Sequence, residues 1–173
     1  MDYCVGAQDD DGALIALLAR GLVRMGLEVP VVARYHLLAY LHLLMAWNER
    51  HNVTAIKSLS AAVSLHLLDS LAILPWLQAQ AFTHLIDLGS GGGLPGIPLA
   101  IVRPLTLVSL LESRGKRAFF LQHVCATLRL HHVRVLRGRA QVILPYKLAH
   151  TLVVCRAVAP LDKLLQMAHS FLR

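Results

Sequence analysis

A glycine-rich segment between two short apolar runs has the clearest chemical meaning in this sequence. It reads Asp87-Leu-Gly-Ser-Gly-Gly-Gly-Leu-Pro-Gly96 and contains both the GxGxxG and the GxGxG spacings. Because glycine has no Cβ atom, such a loop lets a ligand approach the backbone closely. A glycine loop that leaves a strand and enters a helix is typical of nucleotide-binding sites. Glu112 ends the next apolar run, where a carboxylate can accept hydrogen bonds from ribose hydroxyls.

The carboxylate of Asp87 separates the cofactor classes that use such loops. A dinucleotide such as NAD places its pyrophosphate at the loop, where a neighbouring carboxylate repels it. S-adenosylmethionine has no phosphate, and a carboxylate attracts both its ammonium and its sulfonium. We therefore expect S-adenosylmethionine at Asp87, Gly89, Gly91 and Gly93. Two alternatives are a nicotinamide oxidoreductase and a tight turn that Asp87 caps for structural reasons alone.

The spacing of apolar residues predicts the elements that position this loop. Up to residue 80, leucines at helical spacing predict three helices, the third from Ser60 to Leu74, where Pro75 would end it. From residue 81 onward, predicted strands alternate with helices, which indicates parallel β-α-β units. The expected fold class is α/β, with a Rossmann-like sheet over residues 81–173 and a small N-terminal helical region over residues 1–80.

Composition narrows the class of protein. With 173 residues, 56% hydrophobic and 16% charged, the chain suits one folded domain and not a disordered one. Its net charge of +7 favours polyanionic partners. Three scattered cysteines without a CxxC pair indicate a reduced, cytoplasmic protein and no metal site. The N-terminus lacks signal-peptide features and the longest uncharged run is a poor membrane span, so no membrane is expected.

Several motifs occur together in one order along the chain. With them the sequence resembles the glucose-inhibited division protein B family, bacterial methyltransferases that modify guanine N7 in small-subunit (16S) ribosomal RNA. The resemblance covers about Leu37 to Phe171. The motifs are Trp47-Asn48-x-x-x-Asn52-Val-Thr54, His66-Leu-Leu-Asp69-Ser70, the loop from Asp87 to Pro98, Gly115-Lys-Arg117 and Cys155-Arg-Ala157.

The resemblance implies a role for particular residues. Glu112 would hold the ribose, and Arg156 would lie at the cofactor and substrate side. Contacts to S-adenosylmethionine in the loop would come from Gly89 and Leu94, and contacts to the adenine from Ala140 and Gln141. Three polar residues, Asn52, His66 and Asp69, would line the cleft between the helical region and the sheet.

Methylation of guanine N7 places modest demands on a site. N7 is a ring nitrogen with a free lone pair in a neutral base, so it can attack a sulfonium methyl without a general base. Catalysis is then mostly alignment of the lone pair with the bond that breaks. Arg156 is the best candidate to position the ring. His66 and Asn52 complete the set of expected catalytic residues.

Arg114, Lys116 and Arg117 stand at the start of a predicted helix. Cations there oppose the helix dipole at a cost of about 0.3–1 kcal/mol each, which suggests phosphate contact, although a solvated face is equally compatible. We expect looped or single-stranded RNA to bind here. The expected partner is ribosomal RNA or the small ribosomal subunit, while the oligomeric state is left open.

The resemblance also implies a departure at the C-terminal end. Relatives continue with strands that complete a seven-stranded sheet, whereas this sequence ends at Arg173. The expectation is therefore an apparently truncated sheet of four strands in the order 3-2-1-4. An inactive relative that only binds RNA or a partner is the main alternative to an rRNA (guanine-N7)-methyltransferase.

Overall fold

A computed structural model describes residues 10–138, 151–156 and 159–169 of the chain. The first part is helical. Its elements are α1 (Asp10–Arg24), α2 (Val31–His51), α3 (Leu59–Ala62), a π-helical segment (Val63–Leu68), α4 (Asp69–Leu71) and α5 (Leu74–Gln78).

The second part alternates strands and helices. Its elements are β1 (His84–Leu88), α6 (Gly96–Val102), β2 (Leu107–Glu112), α7 (Gly115–Thr127), β3 (Val133–Arg137), β4 (Thr151–Val154) and α8 (Leu161–His169). The strands form one parallel sheet in the order β3-β2-β1-β4. The predicted α/β fold class and strand order are confirmed.

The central strand β1 is buried along its whole length, as an internal strand of a parallel sheet must be. Its alternate side chains enter two cores. Leu85 packs in the larger core with residues of α6 and α7, and Ile86 and Leu88 pack in a smaller one with Ala168 of α8. The sheet is thus covered on both faces, and Asp87 lies on the face of Leu85.

The N-terminal helices pack into the larger of these cores. Leu37, Leu41 and Leu44 of α2 share a buried cluster with Ile97 of α6 and Leu121 of α7. The helical region therefore lies directly over the elements that flank the glycine loop. The predicted domain boundary at residue 80 stays a prediction.

The prediction that Pro75 ends the third helix is wrong. The helical stretch that begins at Leu59 ends before Pro75, because α4 ends at Leu71 and a turn separates it from α5. Pro75 lies in the first turn of α5. A proline there removes no hydrogen bond, since the first N–H groups of a helix have no partner within it.

The segment Leu59–Gln78 is also apolar enough, with a mean hydropathy of 1.4 in its best window, to pass as a membrane-spanning helix by length and composition. Core helices of globular proteins pass the same test. Val63, Leu67 and Leu71 are completely buried in the protein core. Hydropathy alone therefore does not place this segment in a membrane.

The shared core makes a prediction about cooperativity. We expect Leu41→Ala to lower the free energy of unfolding by about 2–5 kcal/mol, because it leaves a cavity between α2 and α6. The amides of β1 should lose protection against hydrogen exchange to the same extent. The matched control Val32→Ala, at a side chain that is 68% exposed on the same helix, should change stability by less than about 0.5 kcal/mol. Unchanged protection of β1 in Leu41→Ala would show that the two parts unfold independently.

Candidate active site

The glycine loop is fixed to the sheet at its start. The amides of Gly89 and Ser90 both donate to the carbonyl of Leu111, at 2.8 and 3.0 Å. Gly91 has a φ of 57°, a left-handed conformation that strains a residue with a Cβ. A Cβ at this position would meet nothing closer than 3.8 Å. The outer side of Gly91 is therefore open to a ligand.

Asp87 lies completely buried under this loop. Its Oδ2 accepts a hydrogen bond of 3.0 Å from the amide of Gly96, and its Oδ1 has no partner among the described residues. Burial raises the pKa of Asp87 to about 7, although the Gly96 amide and the charge of Arg156 limit the rise. The carboxyl group is thus poised between its two protonation states near neutral pH, and a cation nearby would favour the ionised form.

Gly96 allows α6 to approach Asp87. A Cβ built at Gly96 would lie 2.5 Å from Oδ2 of Asp87 and would also collide with Leu110 of β2. This glycine therefore serves the packing of helix on strand, which is the usual role of the third glycine in such loops.

Glu112 connects the glycine loop to the start of α7. Its Oε2 accepts from the amide of Gly91 at 2.9 Å, and its Oε1 accepts from the amide of Arg114 at 2.7 Å. The side chain is buried. A carboxylate has about four acceptor positions, so each oxygen can still accept a further hydrogen bond from a ribose hydroxyl.

Arg156 follows β4 and contacts the helical region. One guanidinium nitrogen, Nη1, donates to Oδ2 of Asp69 at 2.9 Å and to the carbonyl of Leu65 at 3.2 Å. The ion pair is partly exposed, with 31% of the Arg156 side chain and 58% of the Asp69 side chain accessible. These contacts connect the carboxyl end of β4 to the π-helical segment and to the start of α4.

His66 has both ring nitrogens in hydrogen bonds. Nδ1 lies 3.1 Å from the carbonyl of Leu65, and Nε2 lies 2.8 Å from Oγ1 of Thr54. Because a carbonyl only accepts, we assign the proton to Nδ1, and Nε2 accepts from the Thr54 hydroxyl. Burial lowers the pKa of His66. A neutral, fully bonded imidazole acts here as a positioning group.

Two asparagines shape the connection between α2 and α3. Asn52 ends α2 in the left-handed conformation, with a φ of 47°. Asn48 is buried, and its Oδ1 accepts from the amide of Thr54 at 2.8 Å. The connection lies against the loop, since Val53 would be 3.0 Å from a Cβ at Gly92.

Tyr40 was not predicted as a site residue. It is completely buried on α2, and its hydroxyl donates to the carbonyl of Gly92 at 2.8 Å. Its place in the apolar stripe of α2 marks it as a core residue. The one available signal was a phenol in that stripe, because a buried hydroxyl requires a hydrogen-bond partner.

The remaining predicted site residues fall in three groups. Arg114 and Lys116 are exposed at the start of α7, whereas Arg117 is half-buried with its guanidinium beside Gly91. Leu94 is buried within the loop. Ala140 and Gln141 lie outside the described residues, so their contact with adenine stays a prediction.

Within the ranges that the structure describes, neither metal binding nor a cysteine nucleophile is supported. No cluster of three or more His, Cys, Asp or Glu residues could hold a metal ion there. Burial, together with the charge of Asp87, raises the pKa of Cys155. Its thiol therefore stays protonated, which does not suit a nucleophile.

A parallel sheet of this order, with a glycine loop after the central strand and a carboxylate at the end of the next strand, defines a Rossmann-like cofactor-binding domain. Residues 34–173 match the family described as rRNA small subunit methyltransferase G, and the chain belongs to that family. The resemblance found in the sequence motifs is confirmed.

Several relatives carry the name ribosomal RNA small subunit methyltransferase G. The protein of Marinobacter nauticus is 44% identical over 147 residues, which cover 85% of this chain and 67% of the relative. The protein of an Azoarcus species is 44% identical over 128 residues, which cover 74% and 59%. That of Alkalilimnicola ehrlichii is 43% identical over 149 residues, which cover 86% and 66%. The matched part of the chain thus spans about three fifths to two thirds of these relatives' length.

The buried carboxyl of Asp87 makes stability depend on pH. The pKa of Asp87 in the folded protein lies above its value in the unfolded chain. Protonation of Asp87 therefore contributes stability in full below pH 4, and this contribution is lost as the pH rises through 7. At about 1.4 kcal/mol per pKa unit, the effect is on the order of 4 kcal/mol. Asn does not titrate, so Asp87→Asn lacks this pH dependence. In urea unfolding, the free energy of unfolding of Asp87→Asn minus that of the unaltered chain should rise between pH 5 and 8.

Asp162→Asn, at an exposed carboxylate, is the matched control for the Asp87 experiment and should follow the unaltered chain at each pH. A constant difference between Asp87→Asn and the unaltered chain from pH 5 to 8 would contradict the raised pKa.

The Thr54 hydroxyl makes a second prediction. It bonds Nε2 of His66 and accepts from the amide of Ile56 at 3.1 Å. Thr54→Val leaves both groups without this partner, at an expected cost of about 1–3 kcal/mol in the free energy of unfolding. Thr54→Ser keeps the hydroxyl and should lose much less. Equal losses in the two variants would assign the effect to packing of the Thr54 methyl group.

Proposed function

We propose that this protein is a methyltransferase that uses S-adenosylmethionine to methylate N7 of a guanine in 16S ribosomal RNA. The observation that carries the proposal is the open glycine loop, whose backbone amides are bound by two buried carboxyl groups, Asp87 and Glu112. Membership of the family agrees with it, because the relatives are named as methyltransferases of small-subunit ribosomal RNA. Residues 81–173 then hold the cofactor, and residues 1–80 form the opposite wall of the cleft.

The residues present fit S-adenosylmethionine. Oδ1 of Asp87 is a buried acceptor without a partner among the described residues, and a cationic ligand above the loop would favour its ionised form. The outer side of Gly91 is open, and the guanidinium of Arg117 lies beside it. That cation suits the carboxylate of the methionine portion. A ligand that carries both an ammonium and a carboxylate matches this pair of charges.

In this proposal the cofactor supplies a methyl group on a sulfonium when it is bound. Glu112 accepts hydrogen bonds from the ribose while it keeps its bonds to the Gly91 and Arg114 amides. Backbone contacts come from the loop, and adenine contacts from the segment after β3. The proposed cofactor residues are Asp87, Gly89, Gly91, Gly93, Leu94, Glu112, Ala140, Gln141 and Arg156.

The substrate guanine enters at the carboxyl ends of the strands, where ligands bind in sheets of this type. Arg156 lies there, and its contacts with Asp69 and Leu65 use one nitrogen of the guanidinium, so other N–H groups are available to the ring. His66 positions the site through its hydrogen bond with Thr54. Asn52 does so through the left-handed turn with which it ends α2. These residues exclude water and orient N7, and no proton has to be removed.

The proposed partner is ribosomal RNA, free or in the small ribosomal subunit, and the proposed location is the cytoplasm. One observation favours a second candidate, a relative that binds RNA without turnover. Both oxygens of Glu112 already accept hydrogen bonds within the protein, and Asp87 is completely buried. A glutamate that is already bonded to backbone amides has less to gain from a ligand.

Cofactor titration separates these candidates. We expect S-adenosylmethionine to bind saturably in calorimetry, and NADH not to bind. Glu112→Gln removes a charged acceptor, worth about 1.5–3 kcal/mol, so affinity should fall at least tenfold. Glu49→Gln, at an exposed glutamate of α2, is the matched control and should bind as the unaltered chain does.

Transfer of a methyl group to RNA is then assayed with the labelled cofactor. Cofactor binding without transfer would favour the binding relative, and binding of NADH in place of S-adenosylmethionine would overturn the proposal.

A further inference from the structure

An exposed aromatic side chain on α7 has no role in the proposed cofactor site. Phe119 is 62% exposed, although phenylalanine is a residue that proteins usually bury. Lys116 and His123 lie three residues before it and four residues after it, and both are exposed. These spacings place the three side chains on one stripe of the helix.

A rigid aromatic group supports Phe119 from behind. Its ring centroid is 6.2 Å from that of Trp47 on α2, and Trp47 stacks on Phe120 at 5.3 Å with an interplanar angle of 30°. Phe120 is buried in the core, and the ring centroid of His51 lies 4.4 Å from that of Trp47. Two helices thus hold the Phe119 ring in place while one of its sides faces solvent.

The stretch of sequence around this ring carries no acidic side chain. Between Glu112 and Asp162 there is no Asp or Glu, whereas there are nine Lys or Arg and four His residues. Within the described part of this stretch, Arg114, Lys116, Arg134 and Arg137 are exposed. The guanidinium of Arg137 packs against the start of α7, where it would lie 3.0 Å from a Cβ at Gly115. Arg114, Lys116 and Arg137 therefore place positive charge at the end of α7 that is nearest the glycine loop.

We propose that Phe119, with Lys116, His123 and Arg114, forms a binding surface for unpaired RNA. One base stacks on Phe119, and the side chains of Lys116, His123 and Arg114 donate hydrogen bonds to the phosphates on either side of it. A flat ring between cations is the arrangement with which proteins hold single strands, because every base offers a π-face. Bases in a duplex are already stacked on each other and offer none.

The surface is continuous with the proposed cofactor site. Glu112 accepts from the amide of Arg114, the residue before α7, and Arg117 on the first turn of α7 reaches the glycine loop. RNA on α7 therefore passes the mouth of that site, and the surface holds a nucleotide near the target guanine. The choice of RNA among polyanions rests on the proposed function.

The test compares two RNAs and three variants by fluorescence anisotropy. The probes are a fluorescein-labelled hairpin with an unpaired loop and a blunt duplex of the same stem. Phe119→Ala should weaken hairpin binding about tenfold, with no change for the duplex and no change in the dependence of log Kd on log salt concentration. Phe119→Trp should restore hairpin affinity. Lys116→Ala should instead reduce the salt slope by about 0.7.

Trp76→Ala is the matched control, because Trp76 is an exposed aromatic residue, 51% accessible, on α5. It should leave both affinities unchanged. Thermal unfolding of each variant checks that the fold is retained, and a surface position such as Phe119 should shift Tm little.

Three results would overturn the proposal. These are an unchanged hairpin affinity in Phe119→Ala, an equal loss for hairpin and duplex, and a dimer in sedimentation that Phe119→Ala dissolves. The same protein samples are titrated with S-adenosylmethionine. If the protein does not bind S-adenosylmethionine but its hairpin binding depends on Phe119, the proposed function is wrong and the proposed RNA surface is supported. Cofactor binding without any effect of Phe119 would do the reverse.

Discussion

The contact between the buried carboxyl of Asp87 and the amide of Gly96 sets the geometry on which the whole site depends. It fixes α6 against β1 at a distance that no side chain at position 96 would allow. The loop between them must then turn sharply, and it does so through glycines with positive φ. Glu112 can reach the amide of Gly91 only because the loop is held in this form. A buried carboxyl group is costly, and in the proposed function this cost is part of the cofactor site.

The N-terminal helical region also holds the glycine loop in place. Tyr40 donates to the carbonyl of Gly92, and Leu44 and Val53 pack around the same residue. On the opposite side, Arg156 connects the end of β4 to the π-helical segment. The loop is therefore held from the sheet and from the helices at once. Any shift of α2 would therefore change the position of the glycine-loop backbone at Gly92.

Local patterns predicted much of this fold, and tertiary contacts account for what they missed. The strand before the glycine loop and the position of Glu112 at the end of the next strand follow from residues close in sequence, and the strand order follows from the topology of parallel sheets. The hydrogen bonds of Tyr40 to Gly92 and of Arg156 to Asp69 join residues that are 52 and 87 positions apart. No spacing rule encodes such pairs. Pro75 lies in the first turn of α5 and not after a helix, because a proline is compatible with either place and packing decides between them.

The π-helical segment has a consequence for how the cleft can vary. Such a turn contains one residue more than the α-helical path requires. Deletion of one residue between Val63 and Leu68 would restore α-helical winding there, while α3 before the segment and α4 after it would keep nearly the same phase. The contacts made from within the segment would change instead, because the Leu65 carbonyl accepts from Arg156 and the His66 ring bonds Thr54. A deletion of one residue would thus exchange the groups that this part of the helical region presents, without moving the helices on either side of it.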